Sequence, residues 1–366
     1  MKKLLLLFLA ASSVSANMST WYNEDSYPRG LHDFIRGMHE IQGDYNYYKF
    51  ESNLEKNQDV LDEFANNNRT GIISYLLFED DKIVIDEVDM PPMIINGQLP
   101  SNSVGKSLVS YVAGHAICEG YISSVNEVMD WNLLDNTLYE GQTLLNILNM
   151  TAGDQNYIGE YSQPRVDNQW KASGENLNMT SLETIMNSNM QNTVKGSDVY
   201  NYSALTTHVL MNYVIYKAGD NWEKLLDKVF DNKNSVYFEK TRKGNGHSIR
   251  YSFYADRYDY LRIAKSIMDD WNSDGCVGDY LHTIYNKRIV KNDGWPEPHG
   301  VTNYTKSYGG QFYFDFVGLE NREIIGLSGF AGQDIVIDTD NEKIIVVNSK
   351  YKNYDWEEIV YETIKE

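Results

Sequence analysis

The order of hydrophobic patterns predicts an α+β fold: one antiparallel sheet whose strands come from both chain ends, flanked by helices, with an all-helical domain inserted between them. Two observations carry this. β-Rich runs cluster at 71–88 and again at 311–348, and the stretch from about 103 to 271 repeats with a helical period instead.

The chain opens on Lys2 and Lys3, an apolar run at 4–11, and Val14-Ser15-Ala16 ahead of Asn17. A short basic head, a brief apolar core and small residues at the end make the pattern of a secretory signal peptide at 1–16. The apolar core is about half of the roughly 20 residues that a membrane-spanning helix needs. Cleavage after Ala16, a periplasmic or secreted location and no stable membrane insertion are therefore expected for a domain at 17–366. Runs at 71–78 and 82–88 flank Asp80-Asp81 and read as a hairpin, opening a sheet contribution from about 71–98. Val104, Leu108 and Val112 then recur every four residues, as do Leu205, Val209 and Tyr213, placing a helical insert at about 103–290. Strands return at 311–317, 323–327, 334–338 and 343–348, within a second sheet contribution at about 300–349, and a helical tail follows from Tyr354.

The formal charge of −20 becomes −22 once Lys2 and Lys3 are lost. Such a surface repels phosphate backbones, so nucleic acid is not an expected partner. No long block of like charge appears, and solubility explains the acidity. The two cysteines, Cys118 and Cys276, are too few for a disulfide scaffold and wrongly spaced for a zinc site. They read as buried thiols, with a bridge between them left open. The seven histidines include no His-Glu-x-x-His pair, His208 beside Val209 reads as a packing residue, and no metal or organic cofactor is expected.

The chemistry concentrates at 99–107. Ser103 stands at a helix start with Lys106 one turn on, on the same face. A serine hydroxyl attacks only when a nearby base takes its proton, and a desolvated lysine can be that base. The helix start adds free N–H groups for a developing oxyanion. Alone, Ser-x-x-Lys is a weak pattern, better read as a capping serine and a solvated lysine. Gly105-Lys106-Ser107 is not the end of a phosphate-binding loop, because Pro100 stands where that motif needs its first glycine.

Together with Leu144-Leu145-Asn146-Ile147-Leu148-Asn149-Met150-Thr151-Ala152-Gly153 and Gly326-Leu327-Ser328-Gly329-Phe330-Ala331-Gly332-Gln333, the segment at 103–107 resembles the serine β-lactamase and penicillin-binding-protein superfamily. The nearest look is to class C-like hydrolases and 6-aminohexanoate-dimer hydrolases, in the right order from about 71 to 349. The resemblance implies a β-lactamase-like fold and cofactor-free acyl transfer from a small-molecule amide or ester, with Ser103 as nucleophile and Lys106 as base. It also implies a tyrosine as third catalytic residue. Tyr202 keeps the family spacing to Val209-Leu210, whereas Tyr200, in the same loop, is off by two. A phenol beside a lysine ammonium loses its proton more easily, so Tyr202 could pass a proton to the leaving group. The backbone N–H groups of Ser103 and Phe330 would form the oxyanion hole, Ser328 and Gly329 the substrate-binding strand, and Asp154, Tyr157 and Trp170 a pocket wall. Two positions depart from the family. Ala204 replaces an asparagine or serine two residues past the tyrosine, and Leu327 replaces the lysine or histidine that holds a substrate carboxylate. The expected substrate is therefore neutral or cationic rather than a β-lactam, unless another cation such as Lys306 reaches in. The alternative is a catalytically weak protein of this fold that binds acyl or peptide ligands.

Overall fold

The computed structural model describes residues 38–42, 47–89, 97–154, 157, 182–196, 198–231, 235–239, 253–291, 300–350 and 353–366. The expected signal peptide lies outside them. In chain order the described strands are β1 (Met38–Gln42), β2 (Glu51–Ser52), β3 (Ile72–Glu79), β4 (Lys82–Val88), β5 (Leu99–Pro100), β6 (Ser235–Glu239) and β7 (Phe253–Ala255). They continue with β8 (Ile289–Val290), β9 (Thr305–Gly309), β10 (Phe312–Phe316), β11 (Ile324–Gly329), β12 (Gln333–Asp338) and β13 (Lys343–Ser349). The main helices are α1 (Gln58–Ala65), α2 (Val104–Cys118), α3 (Leu144–Leu148), α4 (Ala204–Ala218), α5 (Trp222–Val229), α6 (Arg257–Trp271) and α7 (Cys276–Asn286).

Nine strands form the main sheet in the order β2-β4-β3-β13-β12-β11-β10-β9-β8, so β3 from the early part of the chain pairs with β13 from the end inside it. All its pairs are antiparallel but β2 with β4. The expected hairpin is present: Asp80 and Asp81 both take positive φ, 50° and 61°, the geometry of a two-residue turn whose twist suits the strands. Gly310 and Gln311 do the same between β9 and β10. Strand β13 is buried on both faces, Ile344 and Val346 in one core and Ile345 and Val347 in the other, which is why it reads as an unbroken apolar run. Helices α2, α4 and α6 cover the first face, and α1 with the C-terminal helical residues Ile359, Val360 and Ile364 covers the second.

The insert is not all-helical. Strands β6 and β7 lie within 103–290 and join β1 and β5 in a separate four-stranded sheet, ordered β1-β6-β7-β5. Helix α2 is the central one: only His115, Ile117 and Cys118 escape burial, so it is apolar nearly all round rather than on one stripe. The expectation of two thiols is also corrected. Cys118 and Cys276 form a disulfide with Cα atoms 5.8 Å apart, because α7 packs its first turns against the end of α2. Gly114 permits this approach, since a Cβ there would stand 2.4 Å from the Tyr280 ring. The Tyr280 hydroxyl meets Ser110 Oγ at 2.7 Å. No described helix is long and apolar enough to cross a membrane.

Candidate active site

The site begins where β5 turns into α2. Leu99 and Pro100 pair with Ala255 and Tyr254 of β7, and the Tyr260 hydroxyl donates to Leu99 O at 2.7 Å. Ser101, 1% exposed, donates its N–H to Phe253 O at 2.8 Å and accepts from Phe253 N–H at Oγ, 3.0 Å away. These bonds fix the chain just before it bends through Asn102, whose φ of +46° is tolerated by asparagine better than by most residues. Ser103 caps α2.

The end of β11 presses on this bend. A Cβ on Gly329 would lie 2.7 Å from Ser101 O and 3.1 Å from the nitrogens of Ser103 and Val104, so only glycine allows the contact. The next residue, Phe330, leaves the strand and is 56% exposed. Among the described residues, neither the Ser103 N–H nor the Phe330 N–H donates a hydrogen bond. One open donor at a helix start and one just past a strand end suit an oxyanion.

Lys106 is 1% exposed, one turn along α2, and its N–H donates to Ser103 O at 3.0 Å. Its Nζ lies 5.1 Å from the centroid of the Tyr202 ring, within cation–π range. Met150 places that ring. Asn201 N–H donates to Met150 O at 2.9 Å, and Ser203 N–H approaches Met150 Sδ at 3.3 Å, so the residues on either side of Tyr202 are tied to the second motif. Tyr200 is elsewhere, buried with its ring centroid 4.9 Å from that of Tyr308.

The remaining expected residues are placed less uniformly. Ser328 is 5% exposed on β11, opposite Asp334. Leu327 is wholly buried in the apolar core. Lys306 is paired with Glu320 on β9, near the far edge of the sheet, and does not replace the missing cation. Asp154 does not line a pocket wall. It is 0% exposed, and its Oδ2 accepts from Tyr139 at 2.7 Å, Ser203 at 2.5 Å and Thr206 at 2.9 Å. Burial pushes its pKa up against the lowering by these hydroxyls. Tyr157 uses its hydroxyl on the main chain of Val194, accepting from N–H and donating to O, each at 3.1 Å. Trp170 lies outside the described residues.

Two residues were missed in the sequence. Asn102 donates from Nδ2 to Phe330 O at 2.8 Å. Gln311 joins four elements: its O accepts from Ser107 of α2 at 2.6 Å, its Oε1 from Thr207 of α4 at 2.9 Å, and its N–H donates to Leu148 O of α3 at 2.9 Å from the β9–β10 turn. An asparagine before the nucleophile hints at a left-handed bend; nothing local hints at Gln311. No group of three His, Cys, Asp or Glu among the described residues could hold a metal ion.

No protein-family model matches the sequence. No curated protein matches it either. Solved structures do. A protein provisionally named a 6-aminohexanoate-dimer hydrolase from Bacillus anthracis superposes with a TM-score of 0.66 at 14% identity, over 94% of this chain and 92% of its own. A family VIII carboxylesterase gives 0.56 at 12%, over 81% and 92%. A β-lactamase from Mycobacterium bovis gives 0.51 at 16%, over 83% and 98%. At such identities the likeness concerns architecture, and the chain has the fold of the serine β-lactamase and penicillin-binding-protein superfamily.

Proposed function

We propose that this chain is an exported serine hydrolase that transfers an acyl group from a neutral or cationic amide or ester to water through acyl-Ser103. The observation that carries the reading is Lys106, out of water one turn past Ser103 and under the ring of Tyr202. Taking an ammonium out of water favours the neutral amine, the form able to accept a proton. In acylation, Ser103 Oγ gives its proton to that amine as it bonds to the substrate carbonyl carbon. The N–H groups of Ser103 and Phe330 receive the negative oxygen. Collapse breaks the bond to the leaving group, which takes a proton through Tyr202. Water then adds to the acyl-serine, its proton returning to the Lys106–Tyr202 pair, and releases the acid with Ser103 restored.

The solved structures of this fold include proteins named as a 6-aminohexanoate-dimer hydrolase, a carboxylesterase and a β-lactamase, which supports the reaction class without choosing among them. The buried Leu327 supports a substrate without a carboxylate to anchor. The Cys118–Cys276 bridge supports export, because disulfides persist in oxidising compartments. Ala204 and Leu327 favour the second reading, an acyl- or peptide-binding protein with little catalysis. A fluorophosphonate decides between them by marking an activated serine whatever the substrate. We expect labelling of the parent and none of Ser103→Ala, with thermal unfolding shifted little, since a helix start tolerates alanine at about 1 kcal/mol. An unlabelled parent leaves the binding reading, and a labelled alanine variant moves the nucleophile elsewhere.

A further inference from the structure

We infer that Asn102 is a positioning residue that sets the oxyanion hole; the inference rests on the proposed acylation of Ser103. The two donors of the hole belong to two peptide units, Asn102–Ser103 and Gly329–Phe330. In a trans peptide the N–H points opposite to the C=O, so whatever holds the oxygen aims the hydrogen. Both oxygens are held. Asn102 O accepts from Gly105 N–H at 3.1 Å, and Gly329 O accepts from Gly332 N–H at 3.3 Å. Each N–H therefore turns away from its own turn of chain.

What remains is to register the two units against each other, since they lie 227 residues apart in sequence. Asn102 bridges them. Its main chain forms one peptide unit of the hole, and its Nδ2 donates at 2.8 Å to Phe330 O, just past the other. Phe330 is thus held from both sides, by the packing of Gly329 on the bend and by the amide of Asn102. In the turn, Ala331 and Gly332 take φ of +64° and +81° and Ala331 O accepts from Gln333 Nε2 at 3.4 Å, while Phe330 itself is 56% exposed. The residue at 102 must accept a positive φ and carry an amide donor on a short stem. Asparagine combines these; glycine and aspartate keep the first without the second.

The test compares Asn102→Gly and Asn102→Asp with the parent. Both fit the bend and remove the donor, and the second keeps the size of the side chain should the first not fold. Labelling by a fluorophosphonate and hydrolysis of a p-nitrophenyl ester are measured per active site, counted from the burst of p-nitrophenol. Removing an oxyanion donor outright costs about 10²–10³ in kcat, so displacing one should cost about ten- to a hundredfold in labelling rate and kcat. KM should move less than about twofold, because the lost contact matters as charge develops. A rate per active site within about twofold of the parent in both variants overturns the inference. So does a loss confined to the number of active sites, which is what a merely structural role would give. An unlabelled parent removes the acyl-serine reading itself, whereas a labelled parent with equally fast variants removes only Asn102.

Discussion

Lys106 comes from α2 and Tyr202 from the loop that leads into α4. The Tyr202 ring stands within cation–π range of the buried Lys106 Nζ. Tyr202→Phe separates packing from proton transfer, because it keeps the ring over Nζ and deletes only the hydroxyl. General acid–base contributions run at about 10²–10⁴. Turnover of an ester should fall by about a hundredfold or more in Tyr202→Phe and by only a few-fold in Tyr200→Phe, whose ring sits against Tyr308. Equal losses would remove the distinction drawn between the two tyrosines. Lys106→Met deserves the same comparison, since it fills the buried space without a base. Labelling should drop by several orders of magnitude while the protein stays folded, and a rate within tenfold would return Lys106 to a packing role. Ser103 and Lys106 were visible as candidates by residue type and spacing, and the resemblance to the β-lactamase superfamily added Tyr202 and the roles expected of all three. Asn102 was not visible, because it acts through a contact 228 positions away, and Asp154 was read as a pocket wall instead of a buried acceptor because its hydroxyl partners, Tyr139 and, at the start of α4, Ser203 and Thr206, lie far from it in sequence.

Helices α2 and α7 are tied at their ends by the disulfide and in the middle by Ser110 and Tyr280. The bridge spans 158 positions, and closing so long a loop takes about 5 kcal/mol of entropy from the unfolded chain in the loop-entropy model, an upper figure for real disulfides. Cys118→Ala with Cys276→Ala should therefore lower the unfolding temperature by about 5 °C or more. The same drop should follow reduction of the parent, and a midpoint unmoved by both would show that packing alone holds α7. A second tie joins the loop after α2 to α4. Desolvation would raise Glu127, but the N–H and Oγ of Ser123, the Tyr213 hydroxyl and Lys217 outweigh it and bring its pKa down to about 2. A depressed carboxylate contributes stability above its ordinary pKa and loses it as pH falls through the folded value. Urea midpoints should decline between about pH 4.5 and pH 2, and Glu127→Gln should flatten that decline. Elements were legible where a local pattern and a turn coincide, as in β3–β4 and β12–β13. Strand β9 was not, because it is short, half polar and defined by partners on both sides. Strands β6 and β7 were lost inside a helical stretch because their sheet is completed by β1 and β5, far away in sequence.

For the whole molecule, charge and core point to the same substrate preference. The sheet drawn from both chain ends was readable in the order of patterns, and it puts β11 beside the start of α2, where Leu327 faces the core instead of supplying a cation. Lys306, the substitute considered in the sequence, is engaged with Glu320. A charge-assisted hydrogen bond to a ligand carboxylate is worth about 1.5–3 kcal/mol, so its loss costs ten- to a hundredfold in discrimination. The formal charge of −20 slows encounter with anions further, a part that salt screens beyond about 10 Å at 0.1 M. kcat/KM for a chromogenic cephalosporin should therefore be negligible beside that for a neutral p-nitrophenyl ester, and raising the salt should recover only a minor share of the gap. Leu327→Lys should narrow the gap, at a cost in unfolding temperature because the position is fully buried. Parent and variant are to be compared on both substrates at two salt concentrations, with thermal midpoints alongside. Efficient cephalosporin hydrolysis by the parent would show that a cation other than Lys306 serves the carboxylate, and the argument from Leu327 to a neutral or cationic substrate would fail.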